Sequence, residues 1–321
     1  MITQNKIALV GAGNIGGTLA HLSLIKNLGN VVLFDIVDGL SQGKALDLAQ
    51  TCPIDSVDYK ISGTSSYDDL EDSDVVIVTA GLARKPGMTR DDLLSINSKI
   101  MKDVGTNIKR VCPDAFVICI TNPLDVMVRV LQHYSGLSDH KIVGMAGVLD
   151  SARFSTFLAW EFGVSVQQIQ AYVMGGHGDT MVPLTKMSNI AGISLEQLLA
   201  QGEITKKRLD EIISRTKYGG GEIVGLLKSG SAYYAPAASA IKMTESYLQN
   251  RGMILPCATK IKKGMYNVDR DIFLGVPSKI TSFGVKPVEI EITSDEFTQL
   301  QKSIDAVIEL NSAVDKLLIG D

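Results

Sequence analysis

The sequence predicts an α/β protein, with a doubly wound parallel sheet followed by a C-terminal α+β domain. Three observations carry this. Residues 6–17 read KIALVGAGNIGG: an apolar run, glycines spaced G-x-G-x-x-G at Gly11, Gly13 and Gly16, then a helical pattern. Strand-like and helix-like segments alternate through the first half. The apolar runs at 75–80 and 116–120 are continuous, as strands buried on both faces are.

Residues 7–10 form the first strand. Ile15, Leu19, Leu22 and Ile25 recur at three- and four-residue intervals and make the following helix. Between them, Gly11 permits a tight turn, Gly13 lets backbone approach a pyrophosphate and Gly16 lets helix and strand pack closely. The free N–H groups of the turn and helix start, around Ala12, Asn14 and Ile15, would face the phosphates. A second strand over 31–34 ends at Asp35, about 20 residues on, where an acid would bind a ribose 2′-OH. This is the pattern of a Rossmann dinucleotide site. The acid repels a 2′-phosphate, so the expected cofactor is NAD rather than NADP.

The alternation continues with a helix over 39–50, a strand near 59–63, the buried strand 75–80 and a helix over 92–112. The strand 116–120 ends in Ile120, Thr121 and Asn122, a helix covers 124–134, and a strand covers 142–145. Six such strands fit a doubly wound sheet, in which ligands bind beyond the carboxyl ends. Those ends carry Gly11, Asp35, Gly81 and Asn122.

The pattern changes near Gly147, which suggests a dinucleotide-binding domain over 1–147 and a catalytic, substrate-binding domain over 148–321. The second half predicts a helix over 150–162, strands at 170–174 and 183–186, and helices over 194–201, 206–227 and 235–249. The second of these helices should break at glycines 219–221. Strands at 253–259, 271–275 and 284–290 read as an antiparallel sheet. A final amphipathic helix starts at Ser294, with that serine as its cap.

The bulk numbers exclude several classes. The 321 residues are 45% hydrophobic and 21% charged, with net charge −4, so no nucleic-acid partner is expected. No apolar run approaches the ~20 residues of a membrane-spanning helix, and the first strand starts too early to leave room for a signal peptide. Cys52, Cys112, Cys119 and Cys257 lack metal-type spacing and read as reduced thiols of a cytoplasmic protein. No metal is expected.

Four groups of residues could carry chemistry. His177 sits among glycines in GGHGD after a strand, a setting that His21, His133 and His140 lack. Asp150 and Arg153 are three apart, hence on one helix face. Arg84 and Arg90 bracket a Pro-Gly turn, and Asn122 closes a strand at the ligand edge. Taken singly, each has an ordinary alternative: a structural histidine, a surface ion pair, a solvated loop, or a turn with a cis proline.

Taken together, KIALVGAGNIGG, TAGLARKPGMTRDDLL, ITNPLDV, GVLDSARF and VMGGHGDTMVPL resemble the lactate/malate dehydrogenase superfamily over nearly the whole chain, in family order and spacing. The resemblance is greatest to its malate-oxidising members of the lactate-dehydrogenase-like type. It implies reversible oxidation of (S)-malate to oxaloacetate with NAD, and a homodimer or homotetramer. His177 would take the hydroxyl proton, Asp150 would hold its tautomer, and Arg153 would clamp the C1 carboxylate. Asn122 would bond substrate beside the nicotinamide, Asn97 would contact cofactor, and Arg90 would polarise the carbonyl in the reverse reaction. Residues 81–92 would form a lid with Gly81 and Gly87 as pivots. Arg84 would read the second carboxylate, where lactate enzymes of the family carry glutamine; a buried unpaired charge is costly on either side. Ala232 would leave room for that carboxylate, while Tyr233 and Tyr234 put the local shape at issue. The rival readings are an NAD-dependent lactate dehydrogenase and a non-catalytic NAD-binding redox sensor.

Overall fold

A computed structural model describes residues 4–82 and 88–318 of the chain. The strands β1 (Lys6–Val10), β2 (Asn30–Phe34), β3 (Ile61–Thr64), β4 (Val75–Val78), β5 (Phe116–Cys119) and β6 (Ile142–Gly144) are parallel. They lie in the order β6-β5-β4-β1-β2-β3. This is the doubly wound Rossmann arrangement. Its strand order reverses between β1 and β4, which opens a crevice at their carboxyl ends. The helices α1 (Asn14–Ile25), α2 (Leu40–Asp55), α3 (Arg90–Val111) and α4 (Leu124–Ser135) alternate with these strands.

The continuous apolar runs are explained by two cores. Ile7, Leu9, Val75, Ile77, Phe116 and Ile118 face a cluster with Leu19 and Leu24 of α1. Their neighbours Ala8, Val10, Val76, Val78, Val117 and Cys119 face a second cluster with Met101, Val104 and Ile108 of α3. With side chains alternating across the sheet, both phases of each strand must be apolar.

The second half contains α5 (Gly147–Phe162), then β7 (Ile169–Gln170), β8 (Val173–Met174), β9 (Val182–Pro183), β10 (Asn189–Ile190) and β11 (Ile193–Ser194). Next come α6 (Leu195–Ala200), α7 (Lys206–Leu227), α8 (Tyr234–Leu248), β12 (Met253–Ile261), β13 (Ile272–Thr281), β14 (Gly284–Pro287) and α9 (Ser294–Leu318).

Several expectations are corrected here. The strand expected at 170–174 is two, because β7 pairs with β10 and β8 with β9. The C-terminal strands are antiparallel as expected, but β12 pairs with β6 through Ala258 and Gly144, so they extend the main sheet to nine strands. The close approach needs Gly144: a Cβ there would lie 2.9 Å from that of Ala258. The cap of α9 is Thr293, not Ser294; its Oγ1 accepts the Glu296 N–H while Glu296 Oε2 accepts the Thr293 N–H. Helix α2 runs on through Pro53 to Asp55, beyond the expected end.

Helix α7 does not break at its glycines. A Cβ on Gly219 would meet Arg153 Cδ at 3.2 Å, and one on Gly220 would meet Arg153 Nη2 at 3.5 Å. These glycines let the helix backbone lie against a guanidinium. Each costs roughly 1 kcal/mol of helix propensity against alanine, which packing of α7 on α5 offsets.

Candidate active site

The glycine turn after β1 is built as its spacing requires. Gly11 has φ +111°, a conformation costly for any side chain. A Cβ on Gly16 would sit 1.9 Å from the Gly11 carbonyl oxygen, whereas one on Gly13 would meet nothing within 4 Å. Gly16 is therefore a packing glycine, and Gly13 borders open space. No side chain caps the α1 N-terminus, so its first-turn N–H groups remain available to a phosphate. Asp35 Oδ2 accepts the Ala12 N–H at 2.7 Å and Oδ1 accepts the Val37 N–H at 3.0 Å. A carboxylate offers about four acceptor sites, so Asp35 can hold the turn and still bind a ribose hydroxyl. These residues fit an adenine dinucleotide.

The chemistry-bearing residues of the second half converge on a cleft of about 400 Å³, lined among others by His177, Arg153, Asn122, Ile120, Ile15 and Lys217. Helix α5 carries Asp150 and Arg153 on one face, one turn apart. His177 Nδ1 lies 2.8 Å from Asp150 Oδ2, and Arg153 Nη1 donates to Asp150 Oδ1 at 3.1 Å. Asp150 is 2% exposed, so its charge is held by two partners and little water. A carboxylate only accepts, so His177 carries its proton on Nδ1 and presents Nε2 to a substrate hydroxyl. Burial of the ring disfavours its charged form, but the Asp150 charge and hydrogen bond outweigh burial and hold the His177 pKa above the usual value.

At the strand ends, Thr121 Oγ1 donates to the Ala80 carbonyl at 2.6 Å. Asn122, before a cis proline, is exposed and lines the cleft. Asn97 is fully buried. Its Oδ1 accepts the Leu82 N–H and its Nδ2 donates to the Leu82 and Asn122 carbonyls. Its amide thus ties the segment after β4 to the end of β5. Arg90 is the exposed first residue of α3, whose cap is a Thr89–Asp92 capping box. Arg84 and Gly87 lie outside the described residues. Ser231 and Ala232 line the cleft, while the Tyr233 and Tyr234 rings pack against each other at a tilt of 46°, with Tyr234 exposed.

Three groups near the site were not singled out from sequence. Asp125, on the first turn of α4, is buried and accepts the His177 backbone N–H at 2.9 Å through Oδ2. Ser303 of α9 accepts the Gly176 N–H at 2.8 Å. Lys44 of α2 donates from Nζ to the Gly13 carbonyl at 3.1 Å. Asp125 stood inside the ITNPLDV motif, but nothing local links it to position 177. The two glycines before His177 do not border the cleft. Instead, a Cβ on Gly175 would lie 2.6 Å from Ser303 Oγ and one on Gly176 2.8 Å from Val307 Cγ2, so they fit the loop against the protein. Gly178 has open space and lines the cleft.

A Rossmann sheet with an open glycine turn, and beside it a histidine–carboxylate pair and an arginine in one cleft, defines a nicotinamide-dependent dehydrogenase. The model for the lactate/malate dehydrogenase NAD binding domain matches residues 5–144, and that for the lactate/malate dehydrogenase alpha/beta C-terminal domain matches residues 147–317. The chain is 69% identical over 317 residues to the malate dehydrogenase of Francisella philomiragia subsp. philomiragia, covering 99% of each. Among solved structures it is similar to the malate dehydrogenase of Cryptosporidium parvum, with 46% identity, TM-score 0.94, and 98% of this chain and 100% of that one covered. It is nearly as similar to the lactate dehydrogenase of that organism, complexed with lactic acid and β-nicotinamide adenine dinucleotide, with 44% identity, TM-score 0.94, and 98% and 99% covered. The chain belongs to the lactate/malate dehydrogenase family, and its cofactor is NAD.

Proposed function

We propose that the protein is an NAD-dependent malate dehydrogenase that interconverts (S)-malate and oxaloacetate. The observation that carries the chemistry is the His177 Nδ1–Asp150 Oδ2 contact of 2.8 Å at the wall of the cleft. His177 accepts the substrate hydroxyl proton at Nε2, and Asp150 fixes the tautomer and stabilises the imidazolium. Arg153 clamps the C1 carboxylate with its planar fork. Asn122 bonds the substrate, and Arg90 polarises its carbonyl in the reverse direction. NAD, when bound, supplies the hydride acceptor. Residues 11–16, Asp35 and Ile120 to Asn122 hold it, Lys44 adds a positive charge beside the turn, and Asn97 braces Leu82 and Asn122. Residues 1–147 serve as the cofactor half and 148–321 as the substrate half.

The choice of malate rests on Arg84, which matches a second carboxylate and leaves pyruvate with nothing to pair. A charge-assisted pair contributes roughly 1.5–3 kcal/mol, or about one to two decades of selectivity. The 69% identical malate dehydrogenase supports the same reading, whereas the two Cryptosporidium neighbours are balanced between the substrates. We assign the reaction to the tricarboxylic acid cycle in the cytoplasm. We also assign a homo-oligomer, supported by large apolar side chains left exposed: Trp160 of α5 at 65%, and Leu46 and Ile54 of α2 at 65% and 83%.

The test compares kcat/KM for oxaloacetate and pyruvate in the wild type and in Arg84→Gln. Oxaloacetate should lead by at least tenfold, and the substitution should shrink that lead. Equal values in the wild type would refute the assignment. His177→Asn should bind NADH normally and lose turnover.

A further inference from the structure

The catalytic loop is held from behind by side chains of two distant helices. Three consecutive backbone N–H groups are fixed: Gly175 to the Gly275 carbonyl, Gly176 to Ser303 Oγ and His177 to Asp125 Oδ2. Only the last partner is ionisable. Asp125 is 4% exposed, and its second oxygen, Oδ1, has no hydrogen-bonding partner among the described residues. A backbone N–H could be satisfied there by a neutral acceptor, as Ser303 does one residue earlier. An aspartate brings a buried charge, which is costly unless it acts on something. The group it faces is His177, already paired with Asp150 through Nδ1.

We propose that Asp125 is a positioning residue for the proton-transfer step: it anchors the His177 backbone and, as a second buried anion beside that residue, favours the imidazolium alongside Asp150. The proposal rests on His177 being the proton acceptor. Among the described residues, the charged groups around the pair each have a place in this balance. Asp150 and Arg153 come from α5, the first favouring and the second opposing the imidazolium. Asp179 on the loop and Lys217 on α7 line the cleft beyond the ring. Helix α9 presents the uncharged Ser303 and Val307 to the loop. Burial pushes the Asp125 carboxyl up to about 6, against the opposing hydrogen bond from the His177 N–H, with Asp150 raising it further. Asp125 therefore exchanges its proton closer to neutrality than an ordinary carboxyl does.

Asp125→Asn separates the two roles, because the carboxamide oxygen can still accept the N–H while the charge is gone. Removing one of the two anions that favour the imidazolium should lower the His177 midpoint by roughly one pH unit. The acid limb of kcat/KM for malate oxidation, and the alkaline limb for oxaloacetate reduction, should both move to lower pH by that amount. Ser303→Ala is the control: it removes the other side-chain anchor and should lower kcat while leaving both limbs in place. An Asp125→Asn enzyme with reduced kcat and unmoved limbs would make Asp125 a structural anchor only and overturn the proposal. The wild type supplies a test independent of the variant's folding. The His177 ring proton resonances, followed against pH by NMR, should register a second inflection near pH 6 from the adjoining carboxyl, and a single inflection would refute it. If His177→Asn retains turnover, the proton-acceptor reading itself fails, whatever Asp125→Asn does.

Discussion

Two glycines of one turn should fail in opposite ways when each is changed to alanine. At Gly16 the new Cβ would lie 1.9 Å from the Gly11 oxygen and 3.0 Å from its carbonyl carbon. Carbon–oxygen contacts normally begin at about 3.3 Å, so the β1–α1 turn must open by more than about 1 Å. Overpacking of this kind costs about 1–3 kcal/mol, which lowers Tm by roughly 1.5–4.5 °C at about 2.1 cal/mol/K of unfolding entropy per residue. At Gly13 the φ is −65° and the new Cβ meets nothing within 4 Å. Gly13→Ala should melt within about 2 °C of the wild type. Its methyl group would instead occupy the space through which the pyrophosphate approaches. NADH affinity should fall at least tenfold, about 1.4 kcal/mol. Thermal unfolding without cofactor, with NADH fluorescence titration alongside, separates the two. A Gly13→Ala protein that binds NADH like the wild type would refute the proposed pyrophosphate position. A Gly16→Ala protein of unchanged Tm would refute the packing argument.

Asp150→Asn should leave NADH binding intact and lower turnover by about 10³-fold or more, because a carboxamide no longer selects the Nδ1–H tautomer; steady-state rates within tenfold of the wild type would refute the role. The raised His177 pKa fixes the signs of the pH dependence. Malate oxidation needs neutral imidazole and should rise as pH climbs through the raised midpoint, while oxaloacetate reduction needs imidazolium and should fall through it. Initial-rate kcat/KM profiles that move in the same direction for both reactions would contradict His177 as the shared proton carrier.

What was legible in the sequence was what is encoded locally. The turn at Gly11 to Gly16 is a few consecutive backbone conformations, and glycine is the residue that permits them. The buried strands announced themselves because both of their faces meet a core. Where the reading of elements failed, a tertiary contact had overridden a local preference. Residues 219–221 look like a helix break until Arg153 is packed against the first two of them. The last strands look like a sheet of their own until Gly144 lets Ala258 draw β12 onto β6. Thr293 and Ser294 are both plausible caps, and the carboxylate of Glu296 selects the first.

The amino-acid sequence alone determined the fold class, the cofactor turn and the inventory of reactive side chains, since each depends on residue type and short-range spacing. Tertiary structure decided which of those side chains meet. His177 lies 27 residues from Asp150 and 52 from Asp125, and Gly176 lies 127 from Ser303. No periodicity spans such separations. They close because the sheet order places α4, α5 and the C-terminal helix around one loop, and the buried charges there acquire their proton affinities only from that enclosure.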